Sequence, residues 1–523
     1  MAVATIMRRR HRGGSPSRTP APLLLVAVVC AAAAAVPLVY LVIVIAGSPS
    51  AAGDAIWRAR TVELLVRSLG LALAVATTSS VIAVVLAWLT VRTDLPGRRL
   101  WALLTVLPFV VPSYIGAYLF VSALGPGGVL VQVDWIYGFG GAWLVLTLFT
   151  YPLVLLPVRA AMRRQDPSLE EAARGMGAGP VTSFLTVTLP QLTPAIGAGA
   201  LLAALYTLSD FGAVSILRFD SFTRVIYQSY RASFDRTGAA ALAGLLVVVM
   251  LLLYLWEARV RSTRSSARSA PGTARPPAPV PLGRWKLPAL AFCTAIVTIA
   301  LVVPVITLVV WSQRAVAGAP DWSAITGAMG NSLLTAGLAA TAAVLVALPV
   351  ALLSARHPGR ATRTVEAISS SGYVLPGIVI ALALVFVGTR AAPWAYQTLL
   401  IVVFAMVVHF LPLALGAMRT ALLQVPRSLE EAGRSCGRGP LSVWATITAP
   451  LAMGGTLAGG ALVFLTAVKE LPTVILLAPT GFQTLATEIW QQTNASVFEA
   501  GAVPALVLLL MSAPPLFFLV GRD

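Results

Sequence analysis

Long uninterrupted apolar runs constrain this chain more than any other feature. A helix needs about 20 residues to cross roughly 30 Å of hydrocarbon. Twelve stretches meet that requirement: residues 23–46, 64–91, 101–124, 139–160, 190–217, 239–256, 288–311, 331–354, 368–389, 396–418, 450–478 and 500–520. They are continuously apolar rather than alternating, which excludes a closed transmembrane barrel. Only 11% of the 523 residues are charged and 58% are hydrophobic, too little polar surface for a soluble protein of this length. The fold class expected is an all-α polytopic membrane protein with about 12 transmembrane helices.

The net charge of +18 raises the question of nucleic acid, and its distribution answers it. With the N-terminus placed inside, most of the Lys and Arg residues fall on the cytoplasmic side. Arg8, Arg9, Arg10 and Arg12 precede the first run, and residues 257–287 are rich in Arg. The outward loops 125–138 and 479–499 contain neither Lys nor Arg. Positive charge is retained on the cytoplasmic side, so the excess reads as topology, with both termini inside and no nucleic-acid partner. The run from Leu23 to Ala46 is too long for a signal-peptide core and reads as a retained helix. Cys30, Cys293 and Cys436 form no CxxC pair and read as small apolar filler.

The chain repeats itself. SLEEAARGMGAGP starts at Ser168 and SLEEAGRSCGRGP at Ser428, each between the fourth and fifth helices of its half. A smaller echo, LPGRR ending at Arg99 and HPGRAT starting at His357, joins the second and third helices. Matched motifs at matched positions indicate a duplicated unit. The expected organisation is a basic cytoplasmic tail (1–22) and a first repeat (23–256, its membrane unit about 64–256). A cytoplasmic linker (257–287) and a second repeat (288–521, its membrane unit about 330–520) follow. Six helices per half make the repeats parallel, related by an axis along the membrane normal.

In each repeated loop a Ser is followed three residues later by Glu, the pattern of a capping box. The reading is a short helix starting at Ser168 and stopped by Gly175, Gly177 and Gly179. Leu169, Ala172, Ala173 and Met176 then share one face, as do Leu429, Ala432, Gly433 and Cys436. A single such helix could lie against the membrane surface. Two, in equivalent loops, favour docking into a groove on another protein.

These residues bring a family into view. Glu171-Ala172-Ala173, three residues, Gly177, nine residues and Val187-Thr188-Leu189-Pro190 resembles the EAA loop of type I ABC importer permeases. The second copy is Glu431-Ala432-Gly433, Gly437 and Ile447-Thr448-Ala449-Pro450, departing at Gly433 and Ala449. The resemblance covers nearly the whole chain, as a fused two-repeat permease. It implies that each loop forms a coupling helix seated on an ATP-hydrolysing subunit, two copies per transporter. It also implies an extracytoplasmic binding protein that delivers cargo. The chain has no GxxxxGK[ST] loop, since its only lysines are Lys286 and Lys469. It is therefore expected to be no enzyme, with no catalytic residues, no metal and no bound cofactor, ATP residing on the partner.

Ser209-Asp210-Phe211-Gly212-Ala213-Val214-Ser215 and Lys469-Glu470-Leu471-Pro472-Thr473 look most like the ferric-iron members. Fused permeases for thiamine, aminoethylphosphonate or a polyamine are the alternatives within the class. Asp210 and Glu470 occupy one repeat position, each twenty residues after the proline read as opening its helix, roughly 30 Å along it. They are candidates for the outer part of the translocation path, because ionisable groups in spans usually face a wet interior. Local capping or bonding to a neighbouring helix is the structural alternative. Adjacent Lys469 and Glu470 share no helical face, so Lys469 needs a different partner. His409 reads as a helix-interface hydrogen bonder rather than a metal ligand.

Two other classes were weighed. A major-facilitator transporter also has twelve helices, and Asp94-Leu95-Pro96-Gly97-Arg98-Arg99 partly matches its loop between helices two and three. That class gives no reason for the repeated Glu-Ala loop. A membrane-embedded enzyme needs clustered acid, base or metal residues. The Asp, Glu, His and Lys residues in the spans are Asp210, His409, Lys469 and Glu470.

Overall fold

The computed structural model describes residues 20–165, 168–231, 236–264 and 279–520. The basic tail, with the exception of its last few residues, and the middle of the linker lie outside them. Helix dominates the described residues, and their β-type pairing is one isolated parallel bridge, Thr93 to Val280. Among the described residues nine helices are long and apolar enough to cross a membrane, ten if one bent pair counts as a span. Gly377–Arg390 and Phe498–Ser512 are shorter apolar helices.

All twelve apolar runs carry helix, but four are not continuous: the fifth and eleventh stop at Ser209 and Ala467 and resume at Gly212 and Pro472, and the third and ninth also break. The third breaks into Arg98–Val110 and Ser113–Leu124, bent by 95°. The ninth becomes Arg360–Ser369, a short turn at Ser371–Tyr373, then Gly377–Arg390. The breaks in the third and ninth fall at prolines. Pro112 and Pro376 each sit just outside the new helix in extended backbone, because proline donates no hydrogen bond and disfavours helix in the residue before it. Hydropathy sees an unbroken run where the backbone turns.

Each half is built on one three-helix core. Ala59–Arg92, Phe139–Arg163 and Leu189–Ser209 pack on one another, and Trp322–Arg356, Leu399–Gln424 and Ala449–Ala467 repeat the arrangement. Small residues let the backbones touch. A Cβ on Gly199 would lie 2.6 Å from the Cα of Val154, and one on Gly459 would lie 3.2 Å from the Cα of Ala414. These are equivalent positions in the two halves, and close approach of this kind is how helices associate where lipid removes the hydrophobic drive. Large apolar side chains point outward instead: Leu73, Val81, Leu345 and Leu510 are all strongly exposed.

The two halves exchange helices. Ala21–Gly47 lies on Trp322–Arg356 and Gly377–Arg390 of the second half, with Tyr40 stacked on Phe386. Val303–Ala317 lies on Ser113–Leu124 of the first, where the Trp311 indole donates to the Ser122 carbonyl. The sequence halves are thus not the spatial halves. The helix starting at Arg236 runs to Arg264, into the stretch read as linker. The linker's far end is also ordered: the Val280 amide donates to the Arg92 carbonyl at 2.7 Å, and Asp94 accepts the Leu282 amide and pairs with Lys286.

Candidate functional site

The two repeated loops fold as short helices, Ser168–Gly175 and Arg427–Ser435. The second of them does not start by a capping box. In the second copy the cap is Pro426, without a side-chain bond, and Ser428 is already inside the helix. In the first copy Ser168 is itself helical. Proline suits the start because the first amides need no intrahelical partner, and the acidic first turn of each complements the helix dipole.

The helices end as the glycines indicated. Gly177 has φ +92° and Gly437 φ +80°, the left-handed region. Past each glycine the chain bonds back: the Ala178 amide to the Ala173 carbonyl at 3.0 Å, the Arg438 amide to the Gly433 carbonyl at 3.2 Å. The Leu-Pro pair does not open the next span. Instead a helix starts at Pro180 in one copy and Pro440 in the other, and widens to a π-turn over Phe184–Thr188 and Trp444–Thr448. From there it continues as Leu189–Ser209 and Ala449–Ala467. The wide turn absorbs the proline that an α-turn would expel.

Leu169, Ala172, Met176 and Glu171 are exposed, as are Leu429, Ala432, Cys436 and Glu431. The fourth member of each face turns inward: Ala173 is half-buried and Gly433 buried. The departure at Gly433 is made good. A Cβ there would sit 2.7 Å from the Ile447 Cδ1, so the larger Ile447, where the first copy has Val187, fills the space a methyl would take.

Sequence reasoning missed the partner of each exposed glutamate. Glu170 and Glu430, the first of each Glu pair, are buried. Glu430 pairs with Arg356 at 2.7 Å and accepts the Thr448 hydroxyl at 3.0 Å. Glu170 stands 3.6 Å from Arg92, pairs with Arg174 at 2.6 Å and accepts the Thr188 hydroxyl at 3.3 Å. Arg92 and Arg356 are the last residues of the second span of each half. The legible signal was an Arg closing both spans and a doubled Glu in both loops.

Asp210 and Glu470 each lie at the junction of the halves, at breaks rather than inside helices. The fifth span ends at Ser209, with Asp210 extended, and its counterpart ends at Ala467. The Ser113 hydroxyl donates to Asp210, which also accepts the amides of Ala213 and Val214 at 2.9 and 3.2 Å. Glu470 accepts the Thr473 hydroxyl at 2.6 Å and its amide at 3.3 Å. Ser113 begins the helix that follows one of the two proline breaks. Gly377 begins the helix after the other, and a Cβ on it would lie 2.7 Å from Glu470. Each carboxylate therefore faces the N-terminus of a helix that follows a proline break and caps the turn after its own span.

Lys469 finds its separate partner across the junction, donating to the Val110 carbonyl at 2.6 Å. Phe211 packs on Trp490, 5.1 Å between rings, from the other side. The hydrogen bond expected of His409 is not made by its Nδ1, which stands 3.8 Å from Glu470 and makes no hydrogen bond, while the ring stacks on Phe410. No three His, Cys, Asp or Glu side chains among the described residues assemble as a metal site. Cys293 is buried and free, Cys436 exposed and free. Asp94, the residue that echoed a secondary transporter, is occupied by the linker.

Residues 79–264 and 347–520 each match the binding-protein-dependent transport system inner membrane component family. The chain is 32% identical over 470 residues to the Fe(3+)-transport system permease protein FbpB 2 of Haemophilus influenzae, covering 89% of this chain and 91% of that one. It is 23% identical to the ferric transport system permease protein FbpB of Actinobacillus pleuropneumoniae, covering 87% of this chain and 71% of that one. The molybdenum transport system permease protein ModB of Escherichia coli is 31% identical over 228 residues, 40% of this chain and 97% of that shorter one.

Proposed function

We propose, from the premise that this chain belongs to the family of binding-protein-dependent transport system inner membrane components, that it conducts ferric iron inward as the fused permease of an ATP-driven importer. It is a multi-pass inner-membrane permease with both repeats of that family in one polypeptide. Two copies of an ATPase subunit bind its cytoplasmic loops, and an extracytoplasmic binding protein delivers the iron. Both termini lie in the cytoplasm. ATP is hydrolysed on the partner, and this chain holds neither the nucleotide nor a resident metal.

The observation that carries the reading is the pair of matched loop helices. Each presents an exposed Glu and a small apolar face, held by a glycine stop that only a left-handed residue satisfies. The match to the ferric relative runs through both repeats, whereas the match to the molybdenum relative spans one unit. Ferric iron is therefore favoured over an oxyanion cargo. Asp210 and Glu470 belong to the translocation path as the groups that hold the helices after both proline breaks at the junction. The cargo passes where those helices part.

The test is a double variant, Glu171→Arg with Glu431→Arg. Membrane abundance should stay normal while ATPase pull-down and uptake of radiolabelled ferric iron are lost. Normal uptake by that variant would sink the reading. Uptake of molybdate or thiamine but not iron by the wild type would keep the class and overturn the cargo.

A further inference from the structure

We propose that the buried ties Arg92–Glu170–Thr188 and Arg356–Glu430–Thr448 are the struts through which the loop helices move the spans. This rests on the coupling reading above and deepens it. Docking alone moves only a loop. For a push on Ser168–Gly175 to reach the membrane, that helix must be fixed to the spans it is meant to carry.

Glu170 and Glu430 supply that fixation in both halves. Each carboxylate touches two elements besides its own: the Arg ending the second span and the Thr closing the π-turn that leads into the fifth. Arg92 is 4% exposed at its side chain and Glu170 11%, and Arg356 and Glu430 are 13% and 12% exposed. A buried guanidinium and carboxylate cannot separate without stranding charge in a poor solvent, so the three elements move as one body. Further bonds brace each joint. Gln165 accepts from Arg92 at 3.2 Å and donates to the Thr188 carbonyl at 3.1 Å. In the second half Arg356 donates to the Val425 carbonyl, and Arg427 to the carbonyl of Arg356. The ordered end of the linker adds a clamp on the first strut alone, through the Val280 amide on the Arg92 carbonyl. Glu171 and Glu431 face outward at the same height, so one Glu of each pair meets the partner and the other anchors the helix.

The experiment uses the full permease with its ATPase and binding protein in lipid nanodiscs and proteoliposomes. It reads membrane abundance, ATPase pull-down, ATPase stimulation by the loaded binding protein, and uptake per ATP. Glu170→Gln with Glu430→Gln is expected to keep abundance and pull-down. Stimulation and uptake per ATP should fall by about threefold to thirtyfold, the range of residues that carry coupling without contacting a ligand. Arg92→Lys with Arg356→Lys, which retains the charge, should fall less. Wild-type stimulation in the double Gln variant overturns the proposal. Loss of pull-down in it also does, since the glutamates would then only shape the docking surface. Should the double variant not accumulate, Glu170→Gln or Glu430→Gln alone leaves one strut, and wild-type uptake per ATP in both single variants overturns it equally. Failure of the wild-type permease to bind any ATPase would refute the coupling reading itself, a result distinct from all of these.

Discussion

Replacing Gly177 and Gly437 by Ala tests the loop geometry at its sharpest point. Both glycines have positive φ, +92° and +80°. A Cβ at either would meet nothing within 4 Å, so no steric clash with neighbours enters. The cost is backbone alone, about 1–2 kcal/mol per site for an L-residue in the left-handed region. If docking requires the closed turn, that cost appears as weaker ATPase binding, about 5–30-fold for each substitution. Asn tolerates the left-handed region better than Ala, so the order of affinity should be Gly, Asn, Ala, Val. Gly416 supplies the contrast. It lies inside Leu399–Gln424 with open space around its Cβ position, so Gly416→Ala should be neutral or stabilising, by about 0.5–1 kcal/mol. The assay is titration of the ATPase onto detergent-solubilised permease, with hydrogen exchange at the Ala178 and Arg438 amides as a local check. Equal affinity for Gly and Ala, or Asn weaker than Ala, would refute the reasoning.

Asp210→Asn and Glu470→Gln should each slow iron uptake with normal abundance and ATPase binding, because each weakens the hold on a helix that follows a proline break; wild-type uptake in both removes the carboxylates from the path. The linker clip should be pH-dependent in one direction. The Leu282 amide and then Lys286 hold the Asp94 carboxyl below its usual range, so the clip persists on acidification and is lost only as pH falls through that lowered value. Hydrogen exchange at the Leu282 amide reads it, and equal exchange in wild type and Asp94→Ala at neutral pH would show that Asp94 does not hold the linker. Cys436 is an exposed native probe of sidedness: an impermeant thiol reagent should label it in inverted vesicles stripped of the ATPase and spare it in intact cells, and labelling in intact cells would invert the topology.

Much of the site could be read directly from residue pattern. Gly177 and Gly437 were identifiable because a stop after a short helix needs a residue at ease with positive φ, a local requirement. Helical periodicity placed Leu169, Ala172 and Met176, and Leu429, Ala432 and Cys436, on exposed faces, while their fourth members Ala173 and Gly433 turned inward; Glu171 and Glu431 came from the family resemblance. In the second copy the capping box did not survive, since Pro426 caps a helix that starts at Arg427 and leaves Ser428 inside it. The proline of Thr188-Leu189-Pro190 suggested a helix start, and the π-turn let the helix run through it. Both errors come from competing local signals that the sequence alone could not rank.

Local chemistry by itself determined the membrane class, the duplication, the loop helices and their glycine stops, because each depends on residues within a turn or two of one another or on a run long enough to span lipid. Only the tertiary structure decided what lies far apart in sequence and close in space. It broke two apolar runs at Pro112 and Pro376 and passed the first helix of each half across to the other. It set Lys469 on Val110, and it buried Glu170 and Glu430 against arginines more than seventy positions away. Those pairings arise because a charge withdrawn from water must find its counter-charge wherever packing brings one within reach, and the sequence does not specify where that will be.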